Sequence, residues 1–498
     1  MVASIVCTFE TGSTVETDSL TTSGNAWSQS SISTTGAIHG TYALRAVKQG
    51  VDSGTANAAV TFTDTSMTDT RKTFNAGYLG GIVTSGGQTL TVTSVSTTTN
   101  PNDTLNGTGT WSGAGNPANG TAWTFAASAV GAGYYIKQTV TSGGIWATDN
   151  ETSFGALPAT LTGPIRFSFY HTYGVAMPTV AITALLSLIG ASTIRITVEE
   201  NAGTFQYFLR GATTAPSGFA PVAGTTYRIE GEINSANGLT INIYAQTGTT
   251  SLGSCSLSGA DKSLINIEFG ARTLLTRQGA QEHILDDLVI NDARVYGTGQ
   301  HTGFPGQKQG LAAAVPAGTG TYNELDTDAG AGGVNNYQRV DDAIPWPPSD
   351  TDYVQSPAGT GTALLRDAYA IANYGGANEI TIVSILVRHR DTPGTTGVEH
   401  SMGLYDTGGS SVLVIGVPSD AGVGNWKYHG VHFSESPTGA AWTDALYNTI
   451  EAMIQRNSNS NLWAKQFSGV VILPVDDLSA TPPTPAAFRV KRGYVIGG

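Results

Sequence analysis

Charge is scarce in this 498-residue chain: Asp, Glu, Lys and Arg make up 12% of it, about half the share usual for a soluble domain. With 24 basic against 37 acidic residues the formal net charge is −13, and no Lys/Arg patch or stripe interrupts the acidic balance. Electrostatic binding to nucleic acid or to an anionic membrane surface is therefore not expected. A coiled coil or long helical array, which needs abundant Ala, Glu, Lys, Leu and Arg, is excluded on the same ground. Cysteine is nearly absent. Cys7 and Cys255 alone make neither a disulfide framework nor a metal motif, and both read as small buried hydrophobes, with pairing between them left open. Long apolar runs are missing too: Pro178 to Ile189 is broken by Thr and Ser and is too short to span a bilayer. The start, Met1 to Glu10, has no basic segment followed by an apolar one. The expectation is a protein made in a cytoplasm, neither secreted through a cleaved signal nor inserted in a membrane.

What is present is glycine, at 63 residues, with much Ser and Thr, 40% apolar residues, 8 Trp, 19 Tyr and 15 Phe. That much apolar and aromatic content excludes a disordered chain, and collagen's glycine period is absent. Strand-type alternation dominates, as in Ile165-Arg-Phe-Ser-Phe-Tyr170, Ile194-Arg-Ile-Thr-Val198, Tyr227-Arg-Ile-Glu-Gly-Glu-Ile233 and Leu239-Thr-Ile-Asn-Ile-Tyr244. Between such runs lie turn signals, among them Asn234-Ser-Ala-Asn-Gly238. Short alternating strands separated by Gly/Asn turns predict an antiparallel sandwich or jelly roll. The expected fold is all-β. A jelly-roll sandwich spans 1–297, with an inserted hairpin or subdomain at 77–126, where alternation gives way to Asn, Gly and Thr. A Gly/Ala/Pro-rich linker covers 298–320, and a second mainly-β domain occupies 321–498. Within the second domain Ile380 to Arg388 reads as a strand buried on both faces. Pro437 to Ile454 reads as the one short helix, capped by Thr443, with Leu446, Ile450, Met453 and Ile454 as its apolar stripe.

The search for chemistry begins with paired carboxylates, which glycosidases hold about 5 Å or about 6.5–9.5 Å apart. Glu230 and Glu232 are the nearest approach, sharing one face of the Tyr227 to Ile233 strand, and alternation against Tyr227, Ile229 and Ile233 puts them on the wet side, as solvated charge. His429-Gly-Val-His432, His389 and His400 form no ligand spacing and read as loop or surface residues. Asp326-Thr-Asp328 with Asn335 and Asn336 lacks the glycine and terminal glutamate of a calcium loop, and the doublets Asp286-Asp287 and Asp341-Asp342 read as strand-end chemistry. No nucleophile elbow, phosphate loop or dinucleotide fingerprint occurs. No catalytic residue, metal or cofactor is expected, and the chain is read as not an enzyme. Aromatic residues in loop-like contexts, Trp27, Trp111, Trp123, Trp146 and Trp346, are the candidate glycan or interface contacts; the alternative is that they plug the ends of sandwiches.

Several segments carry a family resemblance. Phe9-Glu-Thr-Gly12, Gly40-Thr-Tyr-Ala-Leu-Arg45, Tyr227-Arg-Ile-Glu230 and Leu285-Asp-Asp-Leu-Val-Ile-Asn-Asp292 resemble the concanavalin A-like (laminin G-like) jelly roll of tailed-bacteriophage structural proteins. Tyr337-Gln-Arg-Val-Asp-Asp342, Asp350-Thr-Asp-Tyr-Val354 and Pro437-Thr-Gly-Ala-Ala-Trp-Thr443 are similar to the region that follows it. The likeness spans most of both halves apart from 77–126. It implies a non-enzymatic virion component of head or tail, made in the bacterial host cytoplasm, with other capsid or tail subunits and further copies of itself as partners. The family brings no catalytic residues, and the carboxylate motif of the glucanases that share the fold is missing here. The runner-up expectation is a host-attachment protein that binds surface glycans.

Overall fold

A computed structural model describes residues 5–7, 11, 19–23, 29–33, 37–40, 42–48, 52–71, 74, 81–95, 104–107, 110–113, 115–126, 133–139, 164–174, 182–189, 192–201, 204–234, 236–260, 266–273, 281–291, 295–296, 299–300, 305–327, 335–345, 348–355, 364–376, 378–391, 400–417, 426–433, 435–456 and 465–477. Nearly all of them lie in antiparallel strands or the turns between, as the alternation predicts, and no described helix is long and apolar enough to cross a membrane.

The first half is a jelly-roll sandwich. Its front sheet runs, edge to edge, through Ser251–Ser258, Gly238–Ala245, Thr226–Ile233, Ile165–Tyr173, Gln281–Asn291, Ala43–Lys48 and Gln29–Ser33, with Ile5–Cys7 also on Gln281–Asn291. The back sheet runs through Thr214–Pro216, Thr204–Arg210, Thr193–Asn201, Ile182–Ile189, Asn266–Thr273, Gly133–Thr139 and Ser19–Ser23. Inward residues of both sheets, such as Phe167, Phe169, Leu186, Ile196, Ile229 and Ile241, form one core. Period-two alternation works here because each strand has one face on that core. Gly231 occupies an inward position opposite Phe167, where a Cβ would stand 2.1 Å from the ring; the missing side chain lets the phenyl group fill the space. The hairpin at Asn234 to Gly238 closes by side-chain chemistry: the Asn234 amide oxygen accepts from the backbone N–H groups of Ala236 and Gly238, both at 2.9 Å.

The insertion is larger than its expected 77–126 range. A separate seven-stranded array takes in Asp52–Gly54, Val60–Thr63 and Ser66–Asp69 as well as the strands from Ile82 to Ala126. Its core gathers Phe62, Phe74, Trp111, Trp123 and Phe125. The early strands are four residues or fewer and rich in Thr and Ser, so their pattern is too short to separate from the sandwich by periodicity.

The second half is a further pair of sheets over its own core. One holds Asp326–Thr327, Val354–Gln355, Lys465–Asp477, Ile380–Asp391 and Lys427–Phe433; the other holds Gly318–Asn323, Leu365–Ala370, Ile450–Arg456, His400–Asp406 and Ser411–Val417. Ile380–Asp391 and Lys465–Asp477 are its longest strands and pair with each other. Two expectations need correction here. The expected linker is in part sheet: Lys308–Gly310 pairs with Lys465–Asp477, and Ala314 exchanges two 2.8 Å backbone hydrogen bonds with Ile472. A strand edge with free backbone groups captures this segment whatever its side chains, which is why Gly/Ala/Pro composition misleads. The helix covers only Asp444–Tyr447, capped as expected by Thr443, whose hydroxyl accepts from Leu446 N–H at 3.2 Å. Ile450, Met453 and Ile454 lie instead on a strand buried throughout, Ile450–Arg456; with both faces covered, its apolar pattern loses period two and imitates a helical stripe.

The halves meet in a buried seam. Val289 of the front sheet packs with Ile382 and Val475 of the second half. Beside them Asp287 adopts φ 47°, a left-handed conformation that Asp tolerates better than most residues. Its Oδ1 accepts from Gly310 N–H at 2.7 Å, and its Oδ2 lies 2.6 Å from Nδ1 of His39.

Candidate functional site

Glu230 and Glu232 do share the outer face of the Thr226–Ile233 strand, but that face is not simply wet. Arg228 and Glu230 are buried and joined at 2.9 Å. The other guanidinium nitrogens of Arg228 reach the carbonyls of Gln246 and Gly248 at 3.1 and 2.9 Å, with Tyr244 stacked at 4.7 Å. Glu232 pairs at 2.7 Å with Arg166 directly across the strand. The expectation of solvated charge is thus corrected for Glu230, which is buried against an arginine that a turn and an aromatic ring hold in place. Each carboxylate is held by its own arginine, so the two are engaged separately and do not share a partner.

His389, His400, His429 and His432 are not loop or surface residues: they lie on strands. His39, His171, His283, His389, His400, His429 and His432 are all buried, and most lie on strands. His171 Nδ1 is 2.8 Å from the Tyr207 hydroxyl, and its Nε2 is 2.9 Å from His283 Nδ1. Burial, reinforced by the neighbouring His283, pushes His171 well below the ordinary histidine range, and burial pushes His283 down to about 3. His432 faces the Ser384 hydroxyl at 2.6 Å, and burial takes it and His429 down to about 3. His429 and His432 are three apart on one strand, so their side chains leave opposite faces.

Among the described residues no group of three or more His, Cys, Asp or Glu could hold a metal ion. Asp328 lies outside the described residues. Asn336 is buried, donating from its amide to Leu325 carbonyl at 2.8 Å and to Asp367 at 2.7 Å. Asp342 accepts from Ser349 N–H. Asp286 and Asp287 line the seam, Asp286 accepting from Ile38 and His39 N–H at 3.1 and 3.2 Å. Cys255 is a free, buried thiol in the first core, pushed up to about 12 by burial, so it is not disulfide-bonded to Cys7.

Of the five candidate tryptophans, Trp27, Trp146 and Trp346 lie outside the described residues. Trp111 and Trp123 are corrected: both are fully buried in the core of the insertion. Their indole N–H groups donate to Thr63 carbonyl at 2.9 Å and Asp69 at 3.0 Å. Rings so enclosed have no face to offer a ligand.

The half-exposed aromatic cluster is elsewhere, and sequence reasoning missed it. Arg388 and Arg390, two apart on Ile380–Asp391, project from one face of that strand. Trp426 lies against both, its ring centre 4.7 Å from the Arg388 guanidinium carbon and 4.3 Å from that of Arg390. Tyr353 stands 5.8 Å from Arg390 and 6.4 Å from Trp426. Arg388 is buried and donates to the carbonyl oxygens of Pro348 and Ser349 at 2.8 and 3.2 Å, to the Ser468 hydroxyl, and to Asp350. Arg390 donates through Nε to Gln466 Oε1 at 2.6 Å. The available signal was the Arg388-His-Arg390 alternation at the end of an apolar strand, together with Asp350-Thr-Asp-Tyr353; neither suggests Trp426, which immediately precedes a different strand, Lys427–Phe433.

No family model matches the chain, and no curated protein matches it. Among solved structures, the cellulose-induced protein Cip1 is similar over 59% of this chain and 100% of its own, at 12% identity and a TM-score of 0.29. The catalytic domain of a glycoside hydrolase family 131 protein from Coprinopsis cinerea covers 34% of this chain and 73% of its own, at 12% identity and a TM-score of 0.22. A Lotus tetragonolobus seed lectin covers 32% and 79%, at 9% identity and a TM-score of 0.22. A hydrolase domain and a lectin stand side by side in this set, so likenesses at this level do not choose between catalysis and binding; the sandwich architecture rests on the sheets described above.

Proposed function

We propose that this chain is a non-enzymatic structural or decoration component of a tailed-phage virion, in head or tail, acting through contacts with other virion subunits and with further copies of itself. The observation that carries the non-enzymatic part is the pairing of the carboxylates: Glu230 and Glu232, which share a face of Thr226–Ile233, are each engaged by an arginine. The virion assignment rests on the sequence resemblance of both halves. The seam through Asp287, which makes one unit of two sandwiches, suits a part that must hold its shape in an assembly. Mass spectrometry and cryo-electron microscopy of purified particles test this: many copies on capsid or tail are expected, and absence from intact virions overturns it. Hydrolysis of a polysaccharide by the purified chain, abolished by Glu230→Gln, would overturn the non-enzymatic reading.

A second reading, host attachment through surface glycans, is favoured by the half-exposed Trp426–Arg390–Tyr353 cluster. It predicts a position at a distal tip and glycan-array binding that Trp426→Ala removes.

A further inference from the structure

We infer that the cluster around Arg390 and Trp426 is a subsite for the oxyanion, carboxylate or sulfate, of an acidic saccharide. The inference rests on the glycan-binding reading and deepens it by naming the ligand's chemistry.

The argument is one of hydrogen-bond polarity. Arg388 Nε and Trp426 Nε1 are buried and have no acceptor. Arg390 uses only its Nε, on Gln466, and among the described residues no carboxylate pairs with it. Guanidinium and indole nitrogens donate and never accept, so the unused hydrogen-bonding capacity of these three side chains is all of one kind. Leaving a buried donor unmatched costs about 1–3 kcal/mol, and two such atoms sit within one cluster here. The nearby acids do not answer the need, because Asp350 is taken by Arg388 and Asp352 by Arg339 at 2.9 Å. A ligand at the half-exposed Arg390 must therefore bring acceptors alone, and an oxyanion does so, lying against the two terminal nitrogens of its guanidinium fork, in surroundings where the buried nitrogens of Arg388 and Trp426 add further donors and no acceptor. Stacking on Trp426 and Tyr353 holds that fork flat. The same half-exposed rings provide apolar walls for the C–H faces of a sugar, whereas a bare inorganic anion would leave them unused.

Isothermal titration of the full chain with tetragalacturonate, a heparin-derived tetrasaccharide and neutral xylotetraose tests the proposal. At least one acidic tetrasaccharide is expected to bind, and which one does so separates carboxylate from sulfate. Arg390→Gln should weaken binding about tenfold or more, and Arg390→Lys, which keeps the charge but loses the fork, should restore only part of it. Trp426→Ala, which removes the half-exposed ring, should weaken binding severalfold, with thermal melting confirming that each variant is folded. Failure of both acidic saccharides to bind, or equal binding by Arg390→Gln, overturns the proposal. If xylotetraose then binds regardless of Arg390, glycan binding survives at another site; if no saccharide binds, that reading falls as well.

Discussion

The seam between the halves and the Arg390–Trp426 cluster are both polar assemblies on the outer faces of sheets, yet they are matched in opposite ways. At the seam all four carboxylate oxygens of Asp286 and Asp287 accept hydrogen bonds, from Ile38, His39 and Gly310 and from the backbone N–H of Asp287 itself. Among the described residues two buried atoms there lack a partner, the Tyr170 hydroxyl, which can donate or accept, and Asp476 Oδ1, which accepts, so what is unmatched is of both kinds. At the cluster the unmatched groups only donate. Matched polar groups in a buried place hold elements together, while a one-sided surplus at a half-exposed place has the form of a recognition site. The interior of the first sandwich belongs with the seam: Tyr207, His171 and His283 form a closed hydrogen-bonded row.

The largest expected effect comes from acid, which breaks the matched regions and spares the cluster. His283, His429 and His432 are held neutral with folded values near 3 against an ordinary 6.5, and His171 is lowered in the same direction. Because their folded values lie below the unfolded one, their contribution is complete above pH 6.5 and is lost as pH falls toward 3. Each histidine then costs about 1.4 kcal/mol per pH unit, enough in combination to approach the roughly 5–15 kcal/mol of a whole domain. Urea midpoints should drop steeply between pH 7.5 and about 5; equal midpoints would show that these histidines are not buried neutral. The guanidinium and indole groups of the cluster do not titrate in that window.

Next in size is Asp287→Ala, which leaves Gly310 N–H and His39 without their acceptor in a buried place. A loss of about 3 kcal/mol is expected, read as a lower urea midpoint and faster proteolysis between residues 298 and 307. An unchanged midpoint would mean that the seam is held by Val289, Ile382 and Val475 alone.

How far these regions were legible in the sequence follows from the range of the interactions that make them. Inward alternation along Ile165–Tyr173 and Thr226–Ile233 is a local property, and the strands form where it predicts them. The Thr443 cap is equally local and is present. The partner of Asp287 is 248 residues away at His39, and no periodicity points to it; an Asp doublet looks the same in a seam as in a solvated turn. Trp426 was invisible for the same reason, since only the pairing of Lys427–Phe433 with Ile380–Asp391 brings it to Arg388 and Arg390. Trp111 and Trp123 misled in the other direction: Gly- and Asn-rich surroundings suggested exposure, but short strands of such composition had folded around the two rings as a core. Gly54 shows how closely, since a Cβ there would lie 2.1 Å from the Trp123 indole nitrogen.

The smallest effect is the sharpest comparison, because it sets two arginines of one strand face against each other. Arg388 is buried and supports the chain at Pro348 and Ser349 while bonding Ser468 and Asp350. Arg388→Gln removes those bonds and should cost about 2 kcal/mol. Arg390 makes one hydrogen bond, to Gln466, and otherwise only ring contacts. Arg390→Gln should therefore cost only about 1 kcal/mol or less. Paired urea denaturation of the two variants measures the contrast directly. If Arg390 supported the fold as Arg388 does, the two losses would be equal and the cluster would be another structural joint like the seam. A stable Arg390→Gln that has lost its ligand would instead show a side chain retained at this position for what it binds rather than for what it holds in place.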